Sequence, residues 1–471
     1  MSAMFAEATN DLTPRYGASG TAMVAWGETS VGALLTNIVA GKNLRCEERP
    51  PHAHERGVVK ISAVTWGVFD PLASKTLPND FEPPANTRIE VGDFLISRAN
   101  TLDLVGSVVV VDQTPTNLFL SDKVLRLEMA DQDKRWLLWF LRSPTGRQAI
   151  EGAATGNQLS MRNLSQSQLK SIRLPWPSAA ERRRIVAKID SLSGKSRRAR
   201  EHLDHIPRLV EKYKQAVLAA AFRGELIGLS PQATSLPDEK CWELPMGWRW
   251  VSFSEAAVIA SNLVKPNDIP DLPHIAPDNI EARTGRLLPF KTIKEDEVIS
   301  PKHRFKPGQL LYSKIRPYLR KAVLIDFEGA CSADMYPLSP REDVASYYLL
   351  YWLISEQFAA FTIEHEGRTV LPKINQHGLN CTWFPLAPLA AQIQIALRIR
   401  ESFQWIDRLA AEATSARKLI NQLDQAVLAK AFRGELVPQD PSDEPASVLL
   451  ERIRADRATD SDAKAKRKKR G

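Results

Sequence analysis

Cysteine is scarce in this chain of 471 residues: Cys46, Cys241, Cys331 and Cys381 stand far apart, with no Cys-x-x-Cys pair and no Cys/His cluster. That spacing argues against zinc and against a disulfide framework, and it fits free thiols in a reducing cytoplasm. No apolar run approaches the roughly eighteen residues of a membrane-spanning helix. The first residues, MSAMFAEATNDLTPRYGASG, lack the basic stretch and apolar core of a secretory signal. Catalytic signatures are missing too. Gly194-Lys195-Ser196 ends like a phosphate-binding loop, but Ile189 stands where the first glycine belongs, inside a helical pattern. His54-Glu55 and His365-Glu366 lack the second histidine of a zinc-protease helix. No strand, glycine-rich turn and helix fit a nucleotide or methyl donor, and no Asn-Pro-Pro-aromatic tetrad of amino-methyltransferases is present. Asp93 and Asp103 lie near basic residues, a pattern that turn caps and ion pairs produce more often than metal-dependent nuclease centres do. No catalytic or metal-ligating residue is assigned.

What is present begins with charge. The formal net charge is +8 and the pI about 9.2, which suits a polyanionic partner. Part of the charge lies in Lys464–Arg470, which reads as a solvated, disordered end. With 44% hydrophobic and 25% charged residues, the chain has the composition of a soluble globular protein and the length for two or three domains.

An internal repeat organises it. Gln215–Leu226 (QAVLAAAFRGEL) and Gln425–Leu436 (QAVLAKAFRGEL) agree at eleven of twelve positions, 210 residues apart. Upstream, Leu174-Pro175-Trp176-Pro177 followed by SAAERRRI faces Phe384-Pro385-Leu386-Ala387-Pro388 followed by LAAQIQI, with Ile393-Gln394 where the first copy has two arginines. Further back, TGNQLSMRN (Thr155–Asn163) faces GRTVLPKIN (Gly367–Asn375).

Each repeat has a mixed part and a helical part. In the mixed part, short apolar runs such as Val58–Val64, Asp93–Ile96 and Val105–Val111 are broken by Gly, Pro, Asn and Asp, and read as strands. Amphipathic segments Lys134–Leu141 and Ser346–Phe361 read as helices between them. The helical part, from Ser178 to Phe222, places Ile185, Ile189, Leu192, Ala199, Leu203, Ile206, Val210, Tyr213 and Val217 on the 4-3 seam of a coiled coil. Its counterpart, Leu389–Phe432, offers Ile399, Phe403, Ile406, Ala410, Ala413, Ile420 and Val427. Pro207 is expected to kink the first helix, and Gly224 and Gly434 to stop the two segments. Matched seams predict that the two helices pack on each other, antiparallel, as rods of roughly 60 Å with a mixed domain at either end. The other arrangement is two separate coiled coils, each pairing with another chain.

These motifs resemble the specificity subunit of type I restriction–modification systems. LPWPSAAERRRIVAKID (Leu174–Asp190) and AVLAAAFRGEL (Ala216–Leu226) are similar to that family's central helical region, and FPLAPLAAQ with AVLAKAFRGEL (Phe384–Gln392, Ala426–Leu436) to its distal one. ELPMGWRWVSF (Glu243–Phe253) resembles the start of a second target-recognition domain. VKISAVTWGVFDP and VGDFLISRANTLDLVG, between Val59 and Gly106, resemble one subclass of first domain; LYSKIRPYLRKAVL (Leu311–Leu324) and GACSADMYPL (Gly329–Leu338) resemble another in the second. The resemblance implies two tandem α/β (α+β) target-recognition domains separated by two long helices that pack as an antiparallel coiled coil, in a pseudo-twofold repeat. It divides the chain into a flexible N-terminus (1–24), a first recognition domain (25–177), a central helical spacer (178–226), a linker (227–243), a second recognition domain (244–388), a distal helical spacer (389–436) and a largely disordered tail (437–471). It further implies a non-catalytic, cytoplasmic subunit that reads a bipartite target in double-stranded DNA. Two methyltransferase subunits and two motor-nuclease subunits would be its partners. S-adenosylmethionine, ATP and magnesium would belong to those partners.

A reader of DNA combines phosphate clamps with groups that reach base edges. Ser97, Arg98 and Asn100 follow a predicted strand, with Arg98 suited to guanine and Asn100 to adenine. Asn157, Gln158, Ser160, Arg162 and Asn163 form a polar stretch beside Gly156, which would let the backbone approach DNA. In the second domain Lys314, Arg316, Tyr318, Arg320 and Lys321 interleave charge with an aromatic, and Arg368 and Lys373 face the first domain's polar stretch in the repeat. For each residue the structural reading competes: Arg98 or Arg316 pairing with a carboxylate, Tyr318 in the core. Two rival functions also stand: a helical adaptor that binds no DNA, and a stand-alone nuclease or methyltransferase.

Overall fold

Short apolar runs broken by turn residues favour small sheets, and the computed structural model forms them twice over. It describes residues 26–65, 67–113, 117–158, 161–232, 236–363, 372–444 and 448. The chain divides into a first unit, Met1–Glu201 with Arg417–Gly471, and a second unit, His202–Ala416.

In the first unit an antiparallel four-stranded sheet runs Leu35–Ala40, Val124–Met129, Phe94–Ser97, Val108–Val110. Phe94–Ser97 is buried along its whole length because both faces are covered. Phe94 and Ile96 pack with Trp136 and Leu137 on one side, while Leu95 packs with Val39 and Val59 on the other, the alternation a strand imposes. A second sheet joins Ser74–Thr76, Gly57–Val59 and Leu118–Phe119, the last two in parallel. The second unit repeats the plan. Its four-stranded sheet runs Ala257–Ile259, Met335–Pro340, Leu310–Ser313, Ala322–Leu324. Its five-stranded sheet again contains a parallel pair, Pro273–Ile275 with Gly329–Cys331. A two-stranded ribbon leads into each long helix: Gly27–Ser30 with Arg173–Trp176, and Arg249–Ser252 with Trp383–Leu386.

Two segments differ from the sequence expectation. Val58–Val64 is not one strand: the chain turns at Lys60, whose carbonyl accepts from Ala63, and Ser62–Thr65 is a helical turn that buries Ala63 and Val64. Ser346–Phe361 is not one helix either. Ser346–Leu353 and Glu356–Ile363 are separated at Ser355, whose Oγ donates to the Trp352 carbonyl (2.7 Å) and accepts from the Phe358 N–H (3.1 Å), capping the second helix.

The central helical segment is Ala179–Asp204 and Ile206–Phe222; the distal helix is Leu389–Phe432. The expected kink is a break at His205, because Pro207 has no N–H for the Leu203 carbonyl. The two segments pack on each other within this chain, antiparallel. In the first unit Arg184 meets Asp443 (2.7 Å), Ser193 lines a cleft with Gln425 and Leu428, and Arg200 meets Asp424 and Asn421. In the second unit Lys214 meets Asp407 at 2.6 Å and lies over the Phe403 ring. Ile185 and Ile189 are fully buried in the first unit, Ile395 and Ile399 in the second. Gly224 and Gly434 (φ +81° and +76°) end the two helices in the left-handed conformation that glycine adopts without strain. The phenylalanine two residues before each glycine completes a core: Phe222 packs on Tyr348 and Trp352 in the second unit, Phe432 on Trp136 and Phe140 in the first. Each repeat's Phe-Arg-Gly-Glu-Leu turn therefore closes the unit that contains the other repeat's mixed part. Among the described residues no helix is long and apolar enough to cross a membrane.

Candidate nucleic-acid interface

In the first unit, the chain leaves the four-stranded sheet where the buried inner strand Phe94–Ser97 ends. Ala99–Asn100 then pairs with Met161–Asn163, Arg162 opposite Asn100 and Asn163 opposite Ala99. The Arg98 N–H donates to the Lys123 carbonyl (2.9 Å), and the Arg98 carbonyl accepts from the Leu164 N–H (2.8 Å). Thr155–Gln158 pairs on the far side of Met161–Asn163, so two segments some sixty positions apart in sequence share one small sheet. Gly156 (φ +139°) has a local reason to be glycine: a Cβ there would stand 2.7 Å from the Met161 carbonyl oxygen.

The second unit makes the same bonds at the matching positions. The Lys314 N–H donates to the Asp334 carbonyl (3.0 Å), the Lys314 carbonyl accepts from the Ile374 N–H (2.9 Å), and Ile315 bridges Lys373. The Arg316 N–H donates to the Pro372 carbonyl (2.8 Å). Lys314, Arg316 and Lys373 are thus gathered as Arg98, Asn100, Arg162 and Asn163 are.

The side chains sort into groups. Arg98 is half-buried and Arg316 exposed, and neither meets a carboxylate among the described residues. Asn163 is exposed; Asn100 is half-buried, its Oδ1 accepting from the Thr101 N–H (2.8 Å). Arg162 is half-buried, its Nε enclosed and without a hydrogen-bond partner among the described residues. Tyr318 is 47% exposed and stands outside the core. Lys314 lies over the Tyr336 ring at 5.2 Å, and Lys373 pairs with Asp334 at 2.9 Å. Asn157 and Gln158 lie in the strand Thr155–Gln158. Ser160 and Arg368 fall outside the described residues.

Three expectations need correction. Ser97 is fully buried, its Oγ donating to the Leu104 carbonyl (3.2 Å), so it terminates the strand and offers nothing to a ligand. Arg320 is 4% exposed; its guanidinium is spent on Glu211 (3.0 Å) and the Ile354 carbonyl (3.4 Å), and burial lowers its pKa against the pull of Glu211. Lys321 is turned inward to the Pro277 carbonyl at 2.6 Å.

Sequence reasoning missed the supports. Lys123 and Asp334 accept the backbone of each loop; the signal was there, since Ser121-Asp122-Lys123 faces Ser332-Ala333-Asp334 in the repeat. Lys123 also lines a cleft of about 320 Å³ with Lys42, Lys60 and Lys75. Arg147 ties down the next loop, donating to the carbonyls of Val105 (2.7 Å), Leu102 and Asp103 (3.2 Å each), and burial lowers its pKa. Beneath Lys314, burial and then the nearby Lys314 charge hold the His303 imidazole below its usual pKa. Two basic, hydrogen-bonding patches just beyond buried strands suit a polyanion with readable edges. Among the described residues no trio of His, Cys, Asp or Glu could hold a metal ion.

No family model matches the chain. The type I restriction enzyme EcoDI specificity subunit of Escherichia coli is 36% identical over 356 residues, spanning 71% of this chain and 79% of that protein. The StySPI specificity subunit of Salmonella potsdam is 26% identical, spanning 71% and 74%, and the EcoKI specificity subunit of Escherichia coli strain K12 is 25% identical, spanning 70% and 73%. Among solved structures, a chain from work on complex assembly and conformational transition of the type I R-M system superposes with a TM-score of 0.62 at 20% identity, covering 88% of this chain and 98% of that one. The HsdS subunit from Thermoanaerobacter tengcongensis gives 0.51 at 20% identity, covering 88% and 97%. At such identities the likeness to the solved structures is one of fold.

Proposed function

This chain belongs to the specificity subunits of type I restriction enzymes, and from that membership we propose that each unit reads one half of a bipartite, asymmetric target in double-stranded DNA. The observation that carries the reading is the repeated gathering of Arg98, Asn100, Arg162 and Asn163 in one unit and of Lys314, Arg316 and Lys373 in the other, by matching backbone bonds. Arginine suits guanine and asparagine adenine in the major groove, and the lysines suit phosphates.

The long helices set the unread spacer and dock two methyltransferase subunits. An apolar face supports the docking role: Ile206, Leu209, Tyr213, Trp405 and Leu409 line a groove of about 730 Å³, with Leu209, Tyr213, Trp405 and Leu409 exposed. Two motor-nuclease subunits complete the restriction enzyme. The chain itself is non-catalytic, and S-adenosylmethionine, ATP and magnesium belong to the partners.

A salt titration tests the DNA-reading role. Purified with its methyltransferase partner, the chain should bind duplex DNA with an affinity that falls by about 10³-fold or more between about 50 and 200 mM salt, as several phosphate contacts require. Weak binding that ignores salt would favour the helical adaptor instead.

A further inference from the structure

Resting on the reading of the second unit as a DNA reader, we infer that the Arg316–Arg320 turn is its reading tip and that Glu211, on the central helix, positions that tip through Arg320. The turn is a single 3-10 turn, Pro317–Leu319, held between two residues in the left-handed conformation, Arg316 (φ +48°) and Arg320 (φ +51°). Non-glycine residues rarely adopt it, and such geometry persists only where the surroundings over-determine it. Here they do. The Arg316 N–H is fixed to the Pro372 carbonyl, and the Arg320 carbonyl accepts from the N–H of Arg283, itself left-handed at φ +69°. The buried Arg320 guanidinium then reaches Glu211 at 3.0 Å, the Ile354 carbonyl at 3.4 Å and Glu356 at 3.7 Å.

What this leaves outside is Tyr318 and Arg316, one an exposed aromatic and the other an exposed guanidinium without a carboxylate partner among the described residues. An aromatic and a guanidinium on a pinned turn can stack on or bond to a base with little ordering entropy left to lose.

Glu211 sits on the face of Ile206–Phe222 that also carries Gln215, whose Oε1 accepts from the Glu356 N–H at 2.9 Å. Ile206, Tyr213 and Val217, which line the apolar groove, lie on the opposite face at helical spacing. The turn is therefore clamped to the helix that carries the docking groove. The first unit does this differently: its corresponding loop, Thr101–Gly106, is held by Arg147 of the short helix Pro144–Ala153. Glu211 is a positioning residue, peculiar to the second unit.

A double-mutant cycle tests this on the complex with its methyltransferase, using a duplex that carries the motif returned by methylation mapping. Glu211→Ala should weaken binding about tenfold, and raise hydrogen exchange at residues 316–320. In an Arg316→Ala/Tyr318→Ala background the same change should cost less than about twofold, because the tip no longer has side chains to position. The milder Glu211→Gln guards against a folding defect, and thermal melting is followed for every variant. Equal losses in both backgrounds, or no loss in the parent, overturn the inference while leaving the DNA-reading function intact. If the parent complex shows no preference for the motif duplex, that function falls, and the role of Glu211 with it.

Discussion

Arg182 and Gln392 do the same job at matching points of the repeat with different chemistry. Arg182 donates from Nη1 to the Pro177 carbonyl (2.9 Å) and from Nη2 to the Asp133 carboxylate (3.2 Å). Gln392 donates from Nε2 to the carbonyls of Ala387 and Asp343, both at 2.8 Å, and accepts from the Ala345 N–H. Pro177 and Ala387, like Asp133 and Asp343, lie 210 positions apart. The change from Arg182 to Gln392 in the second copy thus replaces a buried ion pair by a neutral amide and keeps the junction.

Arg182→Ala should therefore destabilise the first unit by about 3 kcal/mol, since it leaves Asp133 buried without its cation. Arg182→Gln combined with Asp133→Asn should cost clearly less, because the second unit already runs on an amide. Chemical denaturation followed by tryptophan fluorescence measures both; equal costs would contradict the equivalence.

Phe432→Ala and Phe222→Ala should each cost about 3–5 kcal/mol, the usual range for emptying a buried aromatic site. Hydrogen exchange should localise the damage, to residues 131–142 for Phe432 and to 346–363 for Phe222, following their ring contacts. Loosening confined to the helical turn itself would show that these turns close nothing beyond their own helix.

His303 makes the second unit sensitive to acid. Its folded pKa lies below the unfolded value of about 6.5, so the unfolded chain takes up the proton first as pH falls. Its stability is full above about 6.5 and is lost progressively as the pH drops toward the folded value, at up to about 1.4 kcal/mol per pH unit. His303→Asn should flatten the stability curve below about pH 6.5. An unchanged acid slope in the variant would assign the effect to other groups.

Arg98→Ala should lower affinity for a duplex whose first half-site is intact by about 1–3 kcal/mol, with no added loss once that half is scrambled. Arg316→Ala should do the same for the second half only. Lys373→Ala should weaken binding on every sequence and reduce the salt slope by about one.

The repeat, the helical seams and the mixed domains were legible because periodicity and self-similarity are local properties of the chain. Ile185 and Ile189 are buried where the 4-3 spacing puts them, and Pro207 breaks the helix it interrupts. Individual contacts were less legible. Arg316 and Arg320 look alike in sequence, yet one is exposed and the other buried against Glu211, a residue 109 positions away. Ser97 reads as a polar loop residue and is a strand end. Tyr213 falls on the 4-3 seam yet is 61% exposed; two helices alone do not cover it.

The measurement that bears most directly on the central claim is a genome-wide map of methylated adenines in cells expressing the chain with its methyltransferase partner. One motif should appear, with two short fixed halves separated by a constant gap, and Arg98→Ala and Arg316→Ala should each blur a different half. No motif from a stable complex with an active methyltransferase, or a motif with a single uninterrupted block, would contradict a reader built from two repeated units.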